Sequence, residues 1–227
     1  MAGLLAMVGG GEWQDGCTFD AELLEASGGT DVLVLPTAAA YEHPSRAVDT
    51  ATAWFAKLGA TVRACMVLSR PDAESPDFVS MVSDASFIYL GGGSPMHLRS
   101  VLKDSAVWSA LINAWDRGAV LAASSAGAMV LCDPMVDPRG GAFTLGLGLV
   151  NLLTVIPHAD SPEWSPDSDR RHRTYSLAPN GVAVVAVDER TAVIRSPEGG
   201  GTWRVAGAGS ATAWLDGHEV SIESLTA

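Results

Sequence analysis

The chain has 227 residues, 48 % of them apolar, with a net charge of −12, an isoelectric point near 4.6 and a mean hydropathy of +0.21. That supports one α/β domain with a full core, and the acidity excludes nucleic acid and anionic membrane as partners, since both would repel it. Cys17, Cys65 and Cys132 are too few and too far apart for a disulfide frame or a metal cluster, so a reducing cytoplasm is the expected location.

Residues 4–8 predict a first strand. The segment is apolar but short, has no basic flank as a signal peptide would, and runs into Gly9-Gly10-Gly11 and Glu12. Residues 19–26 fit a short helix stopped by Gly28-Gly29, and 31–36 (D-V-L-V-L-P) a buried strand closed by proline. Between 43 and 58, Val48, Ala51, Trp54, Phe55 and Leu58 recur at helical spacing, and Gly59 caps the run. A third strand is expected at 61–68, a short helix at 76–84, and a fourth strand at 87–90 that ends in Gly91-Gly92-Gly93. Leu98, Val101, Leu102, Trp108, Leu111, Ile112 and Trp115 then read as the buried side of one amphipathic helix.

This repeated β-α alternation without hairpin signals predicts an α/β fold: a doubly wound, mostly parallel sheet with helices on both faces. A short strand is expected at 154–157. From 182 onward the pattern changes to strands, at 182–187, 192–195, 202–205, 211–215 and 219–222, read as antiparallel additions to the sheet edge or a small second sheet. Residues 1–227 are expected to form a single domain.

Residues 118–130, G-A-V-L-A-A-S-S-A-G-A-M-V, carry the chemistry. The apolar half is a strand buried on both faces, the small-residue half a helix starting tightly against it. Between them Ser125 has Ala123 two residues before and Gly127 two after, the small-x-Ser-x-Gly spacing of a nucleophile elbow. Ser124 fits less well, because its plus-two residue is Ala126. In a doubly wound sheet ligands bind beyond the carboxyl ends of the strands, where Gly9–Glu12, Gly91–Ser94, Ser125 and His158 all fall.

A serine hydroxyl needs a base, and His158, in V-I-P-H after the elbow, has the right placement; His43, His97, His172 and His218 lie on helices or polar segments. The N–H of Ala126 and one from Gly91-Gly92-Gly93 are the natural donors to a tetrahedral oxyanion. For the acid that orients His158, Asp133 and Asp137 are nearest in sequence, with Asp160, Asp188 and Glu189 also available; Asp137 is the choice. The polar loop 159–169 is either plain surface or a lid beside His158. Arg170, Arg171 and Arg173 form a cationic cluster that would grip a substrate carboxylate if it overlies the site, and otherwise pairs with Asp167 and Asp169.

V-L-V-L-P-T-A at 32–38, I-Y-L-G-G-G-S at 88–94, S-A-G-A at 125–128, G-L-G-L at 146–149, I-P-H at 156–158, V-A-V-D-E-R-T-A at 185–192 and G-A-G-S-A-T at 207–212 resemble the serine peptidase family of dipeptidase E and cyanophycinase, a branch of the class I glutamine amidotransferase-like fold. The resemblance implies a Ser–His–acid peptidase. In it Ser125 matches the nucleophile, His158 the base, and Gly92 and Ala126 the oxyanion donors. Asp137 lies nearest to where dipeptidase E has its Asp. Gly93 and Ser94 in the glycine loop, and Arg171 and Arg173 in the segment after the histidine, are the implied substrate-binding residues. Family members cleave dipeptides with N-terminal Asp or the β-linked Asp–Arg units of cyanophycin. This chain has Ser94-Pro95 after the glycines and Ala159-Asp160 after His158, where cyanophycinases differ, which disfavours cyanophycin as substrate.

The expectation is therefore a cytoplasmic serine hydrolase of small peptides, monomeric or homodimeric, and no metal or organic cofactor is implied. A non-catalytic relative that binds a small ligand or partner, and an esterase or amidase using the same site, are the alternatives.

Overall fold

The computed structural model describes residues 1–197 and 201–225. In chain order the elements are β1 (Leu5–Val8), α1 (Phe19–Ser27), β2 (Asp31–Leu35), α2 (Pro44–Lys57), β3 (Thr61–Ala64), α3 (Pro76–Ser83), β4 (Phe87–Leu90), α4 (Pro95–Leu102), α5 (Ala106–Asp116), β5 (Val120–Ser124) and α6 (Ala126–Leu131). There follow β6 (Met135–Val136), β7 (Phe143–Thr144), β8 (Leu153–Ile156), α7 (Asp169–Leu177), β9 (Ala183–Val187), β10 (Thr191–Arg195), β11 (Trp203–Gly207), β12 (Ala211–Leu215) and β13 (His218–Val220).

The large sheet runs β11-β10-β1-β5-β4-β2-β3; its five strands from β1 to β3 are parallel, and β10 and β11 add antiparallel beyond β1. The apolar runs of β1, β2, β4 and β5 are buried because successive side chains point to opposite faces and both faces are covered. Leu5, Met7, Leu33, Leu35, Ile88, Leu90 and Leu121 join one core with α4, α5 and α6. Ala6, Val8, Val32, Val34, Phe87, Tyr89 and Ala122 join the other, with Leu23 of α1 and Phe55 of α2. This is the doubly wound arrangement that the alternation of elements predicts.

Two expectations change. The helix read across 98–115 is two helices, because Asp104 takes a left-handed conformation (φ 57°) and the Ser105 hydroxyl accepts the Trp108 N–H at 3.0 Å, capping α5. The strand before His158 is not part of the large sheet. β8 pairs parallel with β9 in a second sheet, β13-β12-β9-β8, so the late strands divide between the edge of the large sheet and this smaller one.

The second sheet brings the functional segments together. Ile156 pairs with Ala186, so the residues just past β8 and β9 lie level, His158 beside Asp188 and Glu189. Backbone bonds tie this edge to the loop after β1: His158 N–H to Gly9 O at 2.7 Å, Arg190 N–H to Gly10 O at 2.7 Å, and Gly9 N–H to Thr191 O at 2.9 Å.

Candidate active site

Ser125 sits at the turn between β5 and α6 with φ 51° and ψ −111°, a conformation that non-glycine residues rarely adopt. The bond from Ser125 N–H to Val8 O (2.9 Å) holds it there. Gly127 explains the spacing around it, since a Cβ at that position would lie 2.8 Å from Leu90 O.

The Ser125 hydroxyl lies 2.9 Å from His158 Nε2, and His158 Nδ1 lies 2.8 Å from Glu189 Oε1. A carboxylate only accepts, so Nδ1 carries the ring hydrogen and Nε2 is left to accept from the serine. His158 also has a left-handed backbone (φ 53°). Gly10 leaves room for its ring, because a Cβ there, at φ +114°, would lie 2.2 Å from Cε1. Glu189 is positioned in turn by Asp160, whose carboxylate accepts the Glu189 N–H at 3.1 Å. The arrangement can withdraw the serine proton and steady the resulting imidazolium.

The structure does not bring Asp137, the acid chosen from sequence, to the histidine. Its carboxylate is taken by Arg139 at 2.7 Å, next to the short β6–β7 hairpin, and that bond holds the carboxyl below its ordinary range. Asp133 N–H instead bonds Val150 O at 2.9 Å.

Around Ser125 lies a cleft of about 560 Å³ whose lining includes Glu12, Trp13, Glu42, His43, Arg46, Gly92, Gly93 and His158. Gly92 and Gly93 therefore line the same cleft as Ser125. Ala126 opens α6, so its N–H has no carbonyl of its own helix to bond. The Ser94 hydroxyl is used as the N-cap of α4, accepting the His97 N–H at 3.3 Å.

Arg171 and Arg173 are not in this cleft. Arg171 is buried, donating to Tyr175 Oη (2.7 Å), Trp164 O (3.1 Å) and Thr212 Oγ1 (2.7 Å). It pins the loop before α7 to β12. The pocket that Arg171 lines, of about 620 Å³ with Tyr175 and Trp214, shares no lining residue with the Ser125 cleft. Arg173 is exposed on α7, and Arg170 pairs with Glu163 at 2.8 Å. Among the cleft-lining residues the guanidinium is that of Arg46 on α2, which sequence reasoning missed because α2 signals only its buried face.

All three thiols are free and buried. Burial pushes Cys132 up to about 12, Cys65 to about 12 and Cys17 to about 11. No helix among the described residues is long and apolar enough to cross a membrane.

The family model of peptidase family S51 matches residues 4–200. The chain belongs to peptidase family S51. A crystal structure of a peptidase from an acI-B1 Actinobacterium is similar over 97 % of both chains, with a TM-score of 0.83 and 29 % identity. The S51 fold is shared with a protein assigned as peptidase E from Listeria monocytogenes EGD-e, at a TM-score of 0.64 and 16 % identity over 92 % of this chain and 98 % of that one. Among curated proteins, a cyanophycinase of Synechococcus elongatus is 29 % identical over 69 % of this S51 chain and 49 % of its own length. The uncharacterised peptidase YgaJ of Bacillus subtilis (strain 168) is 30 % identical over 47 % of this chain and 44 % of its own. The chain thus spans about half the length of the curated relatives it matches.

Proposed function

We propose that this S51 peptidase is a serine hydrolase of small peptides, with Ser125 as nucleophile, His158 as general base and then acid, and Glu189 as the acid that orients the histidine. The observation that carries this reading is the unbroken hydrogen-bond chain Ser125–His158–Glu189, at 2.9 and 2.8 Å, whose serine and histidine line a cleft. The turn at Ser125 then acts as a nucleophile elbow, thrusting the hydroxyl out of the sheet. Ser125 Oγ attacks the scissile carbonyl and its proton passes to Nε2; the imidazolium is stabilised by Glu189 and returns the proton to the leaving amine. Water then enters by the same route in reverse and releases the acyl group. The N–H groups of Ala126 and Gly92 are the donors to the tetrahedral oxygen.

Arg46, in place of Arg171 and Arg173, pairs with a substrate carboxylate. The likeness to dipeptidase E makes Asp-first dipeptides the first substrates to try, and buried free thiols suit a reducing cytoplasm.

The test is hydrolysis of a panel of Asp-first and neutral dipeptides by the wild type and Ser125→Ala, with folding checked by circular dichroism. Turnover by the wild type and loss of several orders of magnitude in a folded Ser125→Ala is the expected result. A few-fold loss would mean that another residue is the nucleophile.

A further inference from the structure

Glu12, in the G-G-G-E-W run after β1, lies in the cleft in an unusual position for a carboxylate. Its Oε1 accepts the N–H of Gly92 at 3.1 Å, and its Oε2 accepts the Ser124 hydroxyl at 2.8 Å. Gly92 is also close to the serine, since a Cβ on it would lie 3.4 Å from Ser125 Cβ and 3.1 Å from Glu12 Oε1. The donor that the proposed mechanism assigns to the oxyanion is therefore already bonded to an anion. A carboxylate and a developing oxyanion on one N–H repel each other, so hydrolysis requires Glu12 to be drawn away or neutralised.

A cation carried by the substrate can do this, and the geometry restricts where it sits. The scissile carbonyl carbon must lie against Ser125 Oγ with its oxygen toward Gly92 N–H. An ammonium on the adjoining carbon is only two bonds from that carbonyl carbon, which puts it beside the carboxylate that Gly92 now holds. Glu42 and Arg46 are the other acid and guanidinium among the lining residues, and both are exposed side chains at the α2 end of the cleft.

We infer that Glu12 is a specificity-determining residue: it receives the free amino group next to the scissile carbonyl, and in turning to that ammonium it releases the Gly92 N–H to the oxyanion. Substrate recognition and completion of the oxyanion site are then one event. A peptide with a blocked amine leaves Glu12 on Gly92 and is turned over slowly. This rests on the reading of Ser125 as nucleophile, and it deepens that reading by naming Glu12 as the residue that reads the free amino terminus and couples it to the oxyanion site.

The experiment compares L-aspartyl- and L-alanyl-p-nitroanilide with their N-acetyl counterparts, on the wild type, Glu12→Gln and Glu12→Ala. Fluorophosphonate labelling of Ser125 is followed in parallel by intact mass. The wild type is expected to prefer the free amine by at least about 100-fold in kcat/KM, the scale of one charge-assisted hydrogen bond to the transition state. Both variants should cut that ratio below about ten-fold, by losing rate on the free-amine substrates and, in Glu12→Ala, by gaining rate on the acetylated ones, for which the Gly92 N–H is then free, while Ser125 still labels. An equal fall on free and acetylated substrates, or an unchanged ratio, would overturn the inference and leave Glu12 a brace for Ser124 and Gly92. Absence of both labelling and hydrolysis in the wild type would overturn the serine-hydrolase reading, and this inference with it.

Discussion

Replacing Glu189 by Gln keeps the shape of the side chain and removes its charge, and the geometry bounds the effect. When His158 takes the serine proton, a full imidazolium stands next to a carboxylate oxygen 2.8 Å from Nδ1. With charge centres about 4 Å apart and an effective dielectric of about 20, their attraction is about 4 kcal/mol. Both side chains are partly open to water, 37 % and 43 % exposed, so screening leaves roughly half of that, about 30-fold in rate. The amide adds a second penalty: its NH₂ can donate to Nδ1 and favour the tautomer whose Nε2 carries hydrogen, which cannot accept from Ser125. Together these predict a fall of about 10²- to 10³-fold in kcat/KM. Asp137→Asn loses only a bond to Arg139, whose side chain is 77 % exposed, and should change kcat/KM less than about two-fold. Steady-state kinetics on the best substrate of the dipeptide panel, with thermal melts as a folding control, separates the two. Retention of activity within ten-fold in Glu189→Gln, or an equal loss in Asp137→Asn, would refute the assignment of the acid.

Gly10→Ala places a methyl 2.2 Å from His158 Cε1 at φ +114°, so the ring must move. Its activity should fall by about 10²-fold or more, since displacements near 1 Å cost that much, and full activity in a kinetic assay would contradict the packing described. Burial raises the Asp20 carboxyl to about 7, against its bond from the Trp54 indole at 2.8 Å, which pulls the other way. Because the folded value lies above the unfolded one, Asp20 weakens the fold as pH rises from about 4 to about 7 and does so fully above that. Asp20→Asn keeps an acceptor for Trp54 and should match the wild type near pH 4 in urea unfolding. At pH 8 it should be more stable, by at most roughly 4 kcal/mol. A variant less stable than the wild type at pH 8 would contradict this.

The parallel half of the fold is legible in the sequence because its strands are continuous apolar runs and its turns are glycines. Ser125 shows for the same reason: so tight a turn between strand and helix needs small neighbours, and Ala123 and Gly127 are visible as such. Glu189 stands in the sequence only as one of several acids available to His158, because its placement depends on strand pairing. D-E-R at 188–190 looks like a plain turn until β9 is known to run parallel to β8, which sets Glu189 beside His158. Nearness in sequence favoured Asp137, whose neighbour Arg139 claims it instead. The arginine cluster misled similarly, because composition gives charge but not direction, and Arg171 points into the packing between α7 and β12. Glu12 was visible at the right edge of the sheet, but its bond to Gly92 joins residues eighty positions apart.

The most direct test of the central claim is intact-protein mass after exposure to a small fluorophosphonate, on the wild type, Ser125→Ala and His158→Ala. A single adduct on the wild type that both substitutions remove is the predicted result, since only a serine with its base in place reacts readily. An adduct that persists in Ser125→Ala, or a wild type that takes up none while it still hydrolyses peptides, would contradict the assignment of Ser125 as the activated nucleophile.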